Sequence, residues 1–92
     1  MVSIEPSDLL KSVEVLRGFG ARRVWLFGSA LDTPHAVNDL DLAVEGLPPQ
    51  VFYRAVGRLL DAIGKPVDLV DLSKDSRLSR HIRSKGRLLY DG

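Results

Sequence analysis

Two apolar segments, each bordered by a polar group, constrain the fold of this chain more than any other feature. The first, Val24–Phe27, ends abruptly at Gly28-Ser29, and after nine residues the second begins with Asp39 and Asp41. Because side chains alternate along a β-strand, both carboxylates are predicted to point to one face. The apolar residues that alternate with them then point to a core on the other face. The pattern predicts two core strands with a polar site beside them.

The residue types at this predicted site favour a particular chemistry. Asp39 and Asp41 would lie about 6.5 Å apart at the backbone, so their carboxylates can converge on one or two hard cations such as Mg²⁺. A turn of small residues at Gly28-Ser29 can bring backbone N–H groups to a phosphate. Ser29 could also cap a short helix, which is compatible because a helix N-terminus attracts phosphate. Metal next to a phosphate-binding turn is typical of phosphoryl or nucleotidyl transfer.

Metal-dependent transfer often uses a third carboxylate, for which the chain offers Asp68 and Asp71. Both belong to a predicted strand, and their spacing of three places them on opposite faces. Asp71 lies at the strand end, where it can leave the core and begin the turn before Ser73. An unpaired carboxylate within the core would be costly. We therefore predict Asp68 as the site residue and Asp71 as a structural turn residue.

The rest of the pattern predicts strands that alternate with helices. Helices are expected from Pro6 to about Gly18, over residues 51–63 and over residues 75–85, and further strands over residues 67–72 and 88–90. This order predicts an α/β architecture, with one small sheet flanked by helices in a single domain over residues 1–92. The apolar pattern does not settle the strand directions.

Composition limits the classes of function. The chain of 92 residues contains no cysteine, which excludes disulfides and thiolate metal sites, and it has no apolar stretch long enough to span a bilayer. We expect a cytoplasmic protein with no membrane segment. Residues 1–46 carry a net charge of −3 and residues 47–92 carry +4. The excess lies in a basic C-terminal segment that is either a solvated face or a contact for an acidic partner or RNA: Lys74, Arg77, Arg80, Arg83, Lys85 and Arg87.

Taken together, these segments resemble a known family, and the resemblance runs from about Ala21 to Tyr90. The segments that carry it are Leu26-Phe27-Gly28-Ser29, Asp39-Leu40-Asp41-Leu42-Ala43-Val44, Val67-Asp68-Leu69-Val70 and Gly86-Arg87-Leu88-Leu89-Tyr90. They resemble the minimal nucleotidyltransferases (MNT) of the polymerase-beta superfamily, many of which are antitoxins of HEPN ribonuclease toxins. The resemblance implies a nucleotidyltransferase fold with a mixed sheet flanked by helices.

The resemblance also implies roles for individual residues. Gly28 and Ser29 would contact a nucleotide triphosphate. Asp39 and Asp41 would hold two Mg²⁺ ions, and Asp68 would complete the metal site and help to activate the incoming hydroxyl. The implied reaction transfers AMP from ATP to a tyrosine hydroxyl of a HEPN-type toxin partner, and nucleic acid is not expected to be the direct substrate.

One departure from the family pattern bears on turnover. The family turn commonly continues Gly-Ser-x-Ala-Arg-Gly, whereas this chain has Leu31 and Asp32 at its corresponding positions and lacks the arginine. A missing cation and an added carboxylate beside a triphosphate are expected to weaken transition-state stabilisation. Two alternatives therefore stand beside the enzyme hypothesis. One is an inactive antitoxin that neutralises its toxin by binding alone, and the other is a nucleotidyltransferase that acts on a small molecule.

Overall fold

The helices and strands follow the predicted order closely. The computed structural model of the chain describes residues 3–31, without the side chain of Ser29, and residues 39–92. The helices are α1 (Pro6–Gly18), α2 (Phe52–Ile63) and α3 (Arg77–Lys85), and the strands are β1 (Arg23–Phe27), β2 (Leu40–Glu45), β3 (Val67–Asp71) and β4 (Arg87–Asp91). Short 3₁₀ turns follow β1 at Gly28–Leu31 and precede α2 at Pro49–Val51. No helix within the described ranges is long and apolar enough to cross a bilayer.

The four strands form one mixed sheet in the order β3-β2-β1-β4. β1 pairs antiparallel with both β2 and β4, whereas β2 and β3 are parallel. The connection from β2 to β3 runs through α2, which is the helical crossover that parallel strands require. The predicted α/β architecture with a mixed sheet flanked by helices is confirmed, and the strand directions that the sequence left open are now fixed.

Both faces of the sheet are covered. Val24, Leu42 and Leu69 belong to the main core, which packs against Leu16 of α1 and Leu59 of α2. The opposite face carries a smaller apolar cluster beneath α3, formed by Ala43, Leu72 and Ile82 with Trp25, Phe27 and Val70 packed against it. β1 lacks an apolar–polar alternation because both of its faces pack against apolar clusters. Trp25 is thus part of a core, as its position in an apolar strand predicts.

Some apolar residues of the helices lie outside the core, among them Leu10 and Leu60. Leu10 of α1 is 67% exposed and Leu60 of α2 is 43% exposed. Each is adjacent in sequence to a residue on the buried face, and the 3.6-residue period of the helix rotates it away from the sheet. The buried face of each of these two helices is therefore narrower than the number of apolar residues in its sequence indicates.

Glu45, at the end of β2, connects β1, β2 and α3. Its Oε2 accepts a hydrogen bond from Trp25 Nε1 at 2.8 Å, and its Oε1 accepts one from Arg83 Nη2 at 3.2 Å. Arg83 Nη2 also donates to the carbonyl oxygen of Leu72 at 2.9 Å. Burial by itself raises the pKa of Glu45, but the hydrogen bonds from Trp25 and Arg83 and the charges of Arg83 and Arg23 outweigh it and hold the pKa below its usual range. The ionised carboxylate of Glu45 therefore stabilises the packing of α3 on the sheet.

Replacing Glu45 by glutamine tests this role. A lowered pKa in the folded state contributes stability above the pKa of the unfolded chain, and that stability is lost as the pH falls through the folded value. Urea unfolding of Glu45→Gln at pH 7 is expected to show a loss of about 1–3 kcal/mol. The gap to the unmodified protein should narrow progressively as the pH falls below about 4.3, the ordinary pKa of glutamate, and toward the lowered pKa of the folded state. The control is Glu14→Gln, an exposed position on α1. A gap that stays constant with pH would contradict the assignment.

Candidate functional site

The parallel pairing of β2 with β3 brings two predicted site residues together. Asp41 lies directly opposite Asp68 in the register of the two strands. Residues paired across strands share a face, and both aspartates point away from the main core, to the side of the sheet that carries α3. Asp39 lies one residue before β2 and is exposed. The structure thus places Asp68 with Asp41.

Asp71 occupies a different environment, although it belongs to the same strand as Asp68. Its Oδ1 accepts a hydrogen bond from the backbone N–H of Ser73 at 2.9 Å, and its Oδ2 accepts one from the Ser73 hydroxyl at 3.1 Å. These bonds form a turn at the end of β3, as side-chain oxygens of aspartate commonly do. The structural role predicted for Asp71 is confirmed.

The neighbouring carboxylates act on Asp41 through space. Burial raises the pKa of Asp41, and the negative charges of Asp68 and Asp39 raise it further. In residues 3–31 and 39–92, however, no three acidic or histidine side chains already stand at the spacing of a metal-binding group. The arrangement is therefore an open cluster of hard oxygen donors.

Gly28 lies against this cluster. Its φ of +77° is in the left-handed region that favours glycine. A Cβ at this position would overlap the carboxylate of Asp41. A short 3₁₀ turn begins at Gly28, directly after β1. The predicted contact of Ser29 with phosphate stays a prediction, because its side chain lies outside the described residues, as do Asp32 and the rest of residues 32–38.

A second polar cluster, which the sequence did not predict, lies at the far end of the same sheet face. It contains Glu45 and its partners Arg23 and Arg83. Glu45 follows Asp41 by four residues, so the strand period already places both on one face. Arg23 could not be assigned to it because the pairing of β1 with β2 was not known, and Arg83 could not because the packing of α3 was not known.

A small mixed sheet that presents paired carboxylates beside a glycine turn is characteristic of nucleotidyltransferase domains. The family described as "Polymerase beta, Nucleotidyltransferase" matches residues 12–92. The chain belongs to this nucleotidyltransferase family. No curated protein sequence matches the chain.

Three solved structures of toxin–antitoxin systems illustrate the similarity. A variant of the MntA–HpeT pair is 25% identical, with a TM-score of 0.78 and coverage of 91% of this chain and 73% of that chain. A toxin–antitoxin with AMP-PNP is 27% identical, with a TM-score of 0.76 and coverage of 91% and 73%. A tri-AMPylated HEPN toxin from Shewanella oneidensis in complex with an MNT antitoxin is 26% identical, with a TM-score of 0.72 and coverage of 94% and 71%.

Asp41→Asn tests the electrostatics of the cluster. A raised pKa in the folded state means that the ionised form of Asp41 destabilises the fold at neutral pH, and that this cost disappears as the pH falls through the raised value. In EDTA at pH 7, Asp41→Asn should be more stable than the unmodified protein by up to about 1 kcal/mol, a small gain because solvent screens the charges. The measurement is urea unfolding.

Asp61→Asn is the matched control, because Asp61 is an exposed aspartate on α2. It removes the same charge and should leave stability unchanged. If Asp41→Asn lowers stability in EDTA, or if its gain persists at acid pH, the carboxylates do not repel one another as described.

Proposed function

We propose that this chain is a cytoplasmic antitoxin of the MNT type, with one nucleotidyltransferase domain over residues 1–92. It would bind a HEPN-type toxin and transfer AMP from ATP to a toxin hydroxyl, most naturally that of a tyrosine. Membership of the nucleotidyltransferase family supports the reaction class. The partner is supported by similarity to toxin–antitoxin structures, one with AMP-PNP and one with a tri-AMPylated HEPN toxin.

The observation that carries the proposal is the position of Asp41 opposite Asp68, with Gly28 against the Asp41 carboxylate. This arrangement combines oxygen donors with a turn whose backbone comes close to them. Carboxylates are the protein ligands that Mg²⁺ prefers, so the donor chemistry of Asp39, Asp41 and Asp68 fits that ion. Side-chain rotations would have to bring the three carboxylates together around it. Bound Mg²⁺ would supply neutralisation of phosphate charge and polarisation of the α-phosphate.

The residues of the chain then have distinct tasks. Backbone N–H groups of the Gly28–Leu31 turn would bind the phosphates of ATP, and Ser29 would add its hydroxyl. The acceptor oxygen attacks the α-phosphorus, a new P–O bond forms, and the bond to the departing pyrophosphate breaks. Asp68 would accept the proton of the acceptor hydroxyl and orient its oxygen for this attack.

A second candidate function rests on the composition of the phosphate turn. The turn Gly28-Ser29-Ala30-Leu31 contains no basic residue, and the next residue in the sequence is Asp32. Without a cation beside the triphosphate, the developing negative charge is less well stabilised. A chain of this kind could neutralise a toxin by covering it, with no transfer of AMP.

An intact-mass experiment separates the two functions. The protein is mixed with a HEPN-type toxin, ATP and Mg²⁺, and the toxin is weighed by mass spectrometry. The enzyme hypothesis predicts added AMP, and Asp41→Asn or Asp68→Asn should lower the rate by at least about 100-fold because each removes a charge from the reacting centre. Asp71→Asn is the matched control and should retain the rate, since the asparagine Oδ1 can still accept the hydrogen bond from the Ser73 backbone N–H that forms the turn.

The outcomes exclude one another. Transfer by the unmodified protein that is also retained in Asp68→Asn would contradict the site. A stable complex with no change of mass, and with toxin activity restored after separation, would establish the binding antitoxin instead. If there is neither complex nor transfer, the toxin partner is wrong.

A further inference from the structure

A polar cavity of about 200 Å³ opens at the end of the sheet opposite Asp41. Arg22, Arg23 and Arg83 line it, together with Glu45. Glu45 follows Asp41 by four residues in β2, which places the two carboxylates about 13 Å apart along the strand. The cavity is therefore separate from the candidate site at the carboxylate cluster.

Positive charge exceeds negative charge around this cavity. Glu45 Oε1 lies 3.2 Å from Arg83 Nη2 and 3.7 Å from Arg23 Nη1, so one carboxylate is shared by two guanidinium groups. Arg23 Nε is also 3.1 Å from Asp91 Oδ1. No ion pair to Arg22 is found among the described residues. The two negative charges of Glu45 and Asp91 therefore neutralise only part of the positive charge of the three arginines.

The arginines also hold unused hydrogen-bond donors. A guanidinium group carries five N–H donors, and Arg83 directs only one nitrogen to Glu45 and to the Leu72 carbonyl. Planar N–H pairs match the oxygens of a phosphate, and such bonds are strong because both partners are charged. Several arginines around one small cavity therefore favour a compact anion with several oxygens over a single carboxylate.

The surroundings extend the positive field. Arg80 lies one helical turn before Arg83 on α3, and Arg77 and Lys74 precede it; all three are exposed, and Arg80 Nε is also 3.6 Å from Asp75 Oδ1. The proposed transfer reaction uses none of these residues, although they form the basic segment that stands out in the sequence. The cavity would draw an anion along this face before it binds.

We propose that the cavity between Arg22, Arg23 and Arg83 is a second, metal-independent binding site for a phosphoryl group. The group is a phosphate mono- or diester, which either a free nucleotide or a nucleic-acid backbone can supply. The proposed phosphoryl site does not depend on the transfer reaction, and its test is independent of the test of that reaction.

Trp25 provides a built-in reporter. It is the one tryptophan in the sequence, and its indole N–H donates to Glu45 in the wall of the cavity. An anion that draws Arg23 or Arg83 away from Glu45 changes the environment of the indole. Fluorescence is followed as inorganic phosphate is added in EDTA, with sodium chloride at equal ionic strength as the reference. The arginine Nε–H signals are followed by NMR in the same series.

The variant is Arg22→Gln, because no ion pair within the described ranges depends on Arg22 and the Glu45 cluster stays intact. The control is Arg58→Gln, an exposed arginine on α2 that loses the same charge. We expect saturable binding to the unmodified protein, an affinity at least about fivefold lower in Arg22→Gln, and no change in Arg58→Gln. The proposal is overturned if neither signal saturates beyond the chloride reference, or if Arg22→Gln binds as tightly as the unmodified protein.

Two further titrations distinguish the sources of the phosphoryl group. AMP and a short single-stranded oligoribonucleotide are added in EDTA to the same three proteins and to Arg80→Gln. If the oligonucleotide binds more tightly than AMP, and if Arg80→Gln also lowers the affinity for the oligonucleotide, the site is assigned to a nucleic-acid backbone. If AMP and the oligonucleotide bind with equal affinity, and if Arg80→Gln changes neither affinity, the site is assigned to a free nucleotide. If both bind Arg22→Gln as tightly as the unmodified protein, the cavity is not the site.

Discussion

The parallel pairing of β2 with β3 is the constraint on which the candidate site depends. It sets Asp41 opposite Asp68 and turns both away from the main core. A shift of one residue in the register would send Asp68 into the core, because side chains alternate between the two faces of a strand. The buried leucines that alternate with the aspartates in each strand prevent such a shift. Packing of the core thus determines where the carboxylates lie.

One strand produces two opposite electrostatic environments on the same face of the sheet. Asp41, near the start of β2, faces two other carboxylates, and together with burial they raise its pKa. Glu45, at the end of β2, is partly buried as well, but Trp25 and two arginines hold its pKa low. The sheet therefore separates charge along β2, with an end suited to cations and an end suited to anions. This polarity underlies both the proposed reaction and the proposed phosphoryl site.

Much of this arrangement follows from local sequence patterns. The alternation of aspartate and leucine predicted which face of β2 carries the carboxylates, and the requirement that an unpaired carboxylate avoid the core led to the choice of Asp68 over Asp71. The environment of Glu45 could not be predicted, because Arg83 is distant in sequence and reaches it only after α3 packs on the sheet. The strand directions could not be predicted either. Apolar side chains cover both faces of β1, and the apolar pattern of this strand is the same whether its neighbours run parallel or antiparallel to it.

The most direct test of the central claim is to locate a bound divalent cation. Mn²⁺ can replace Mg²⁺ at carboxylate sites, and as a paramagnetic ion it broadens the NMR signals of nearby amides. In the presence of a non-hydrolysable ATP analogue, the account predicts broadening centred on Gly28, Asp41 and Asp68, with Glu45 much less affected and the pattern lost in Asp41→Asn. Broadening centred on Asp71 or on another acidic surface, and unchanged in Asp41→Asn, would contradict it.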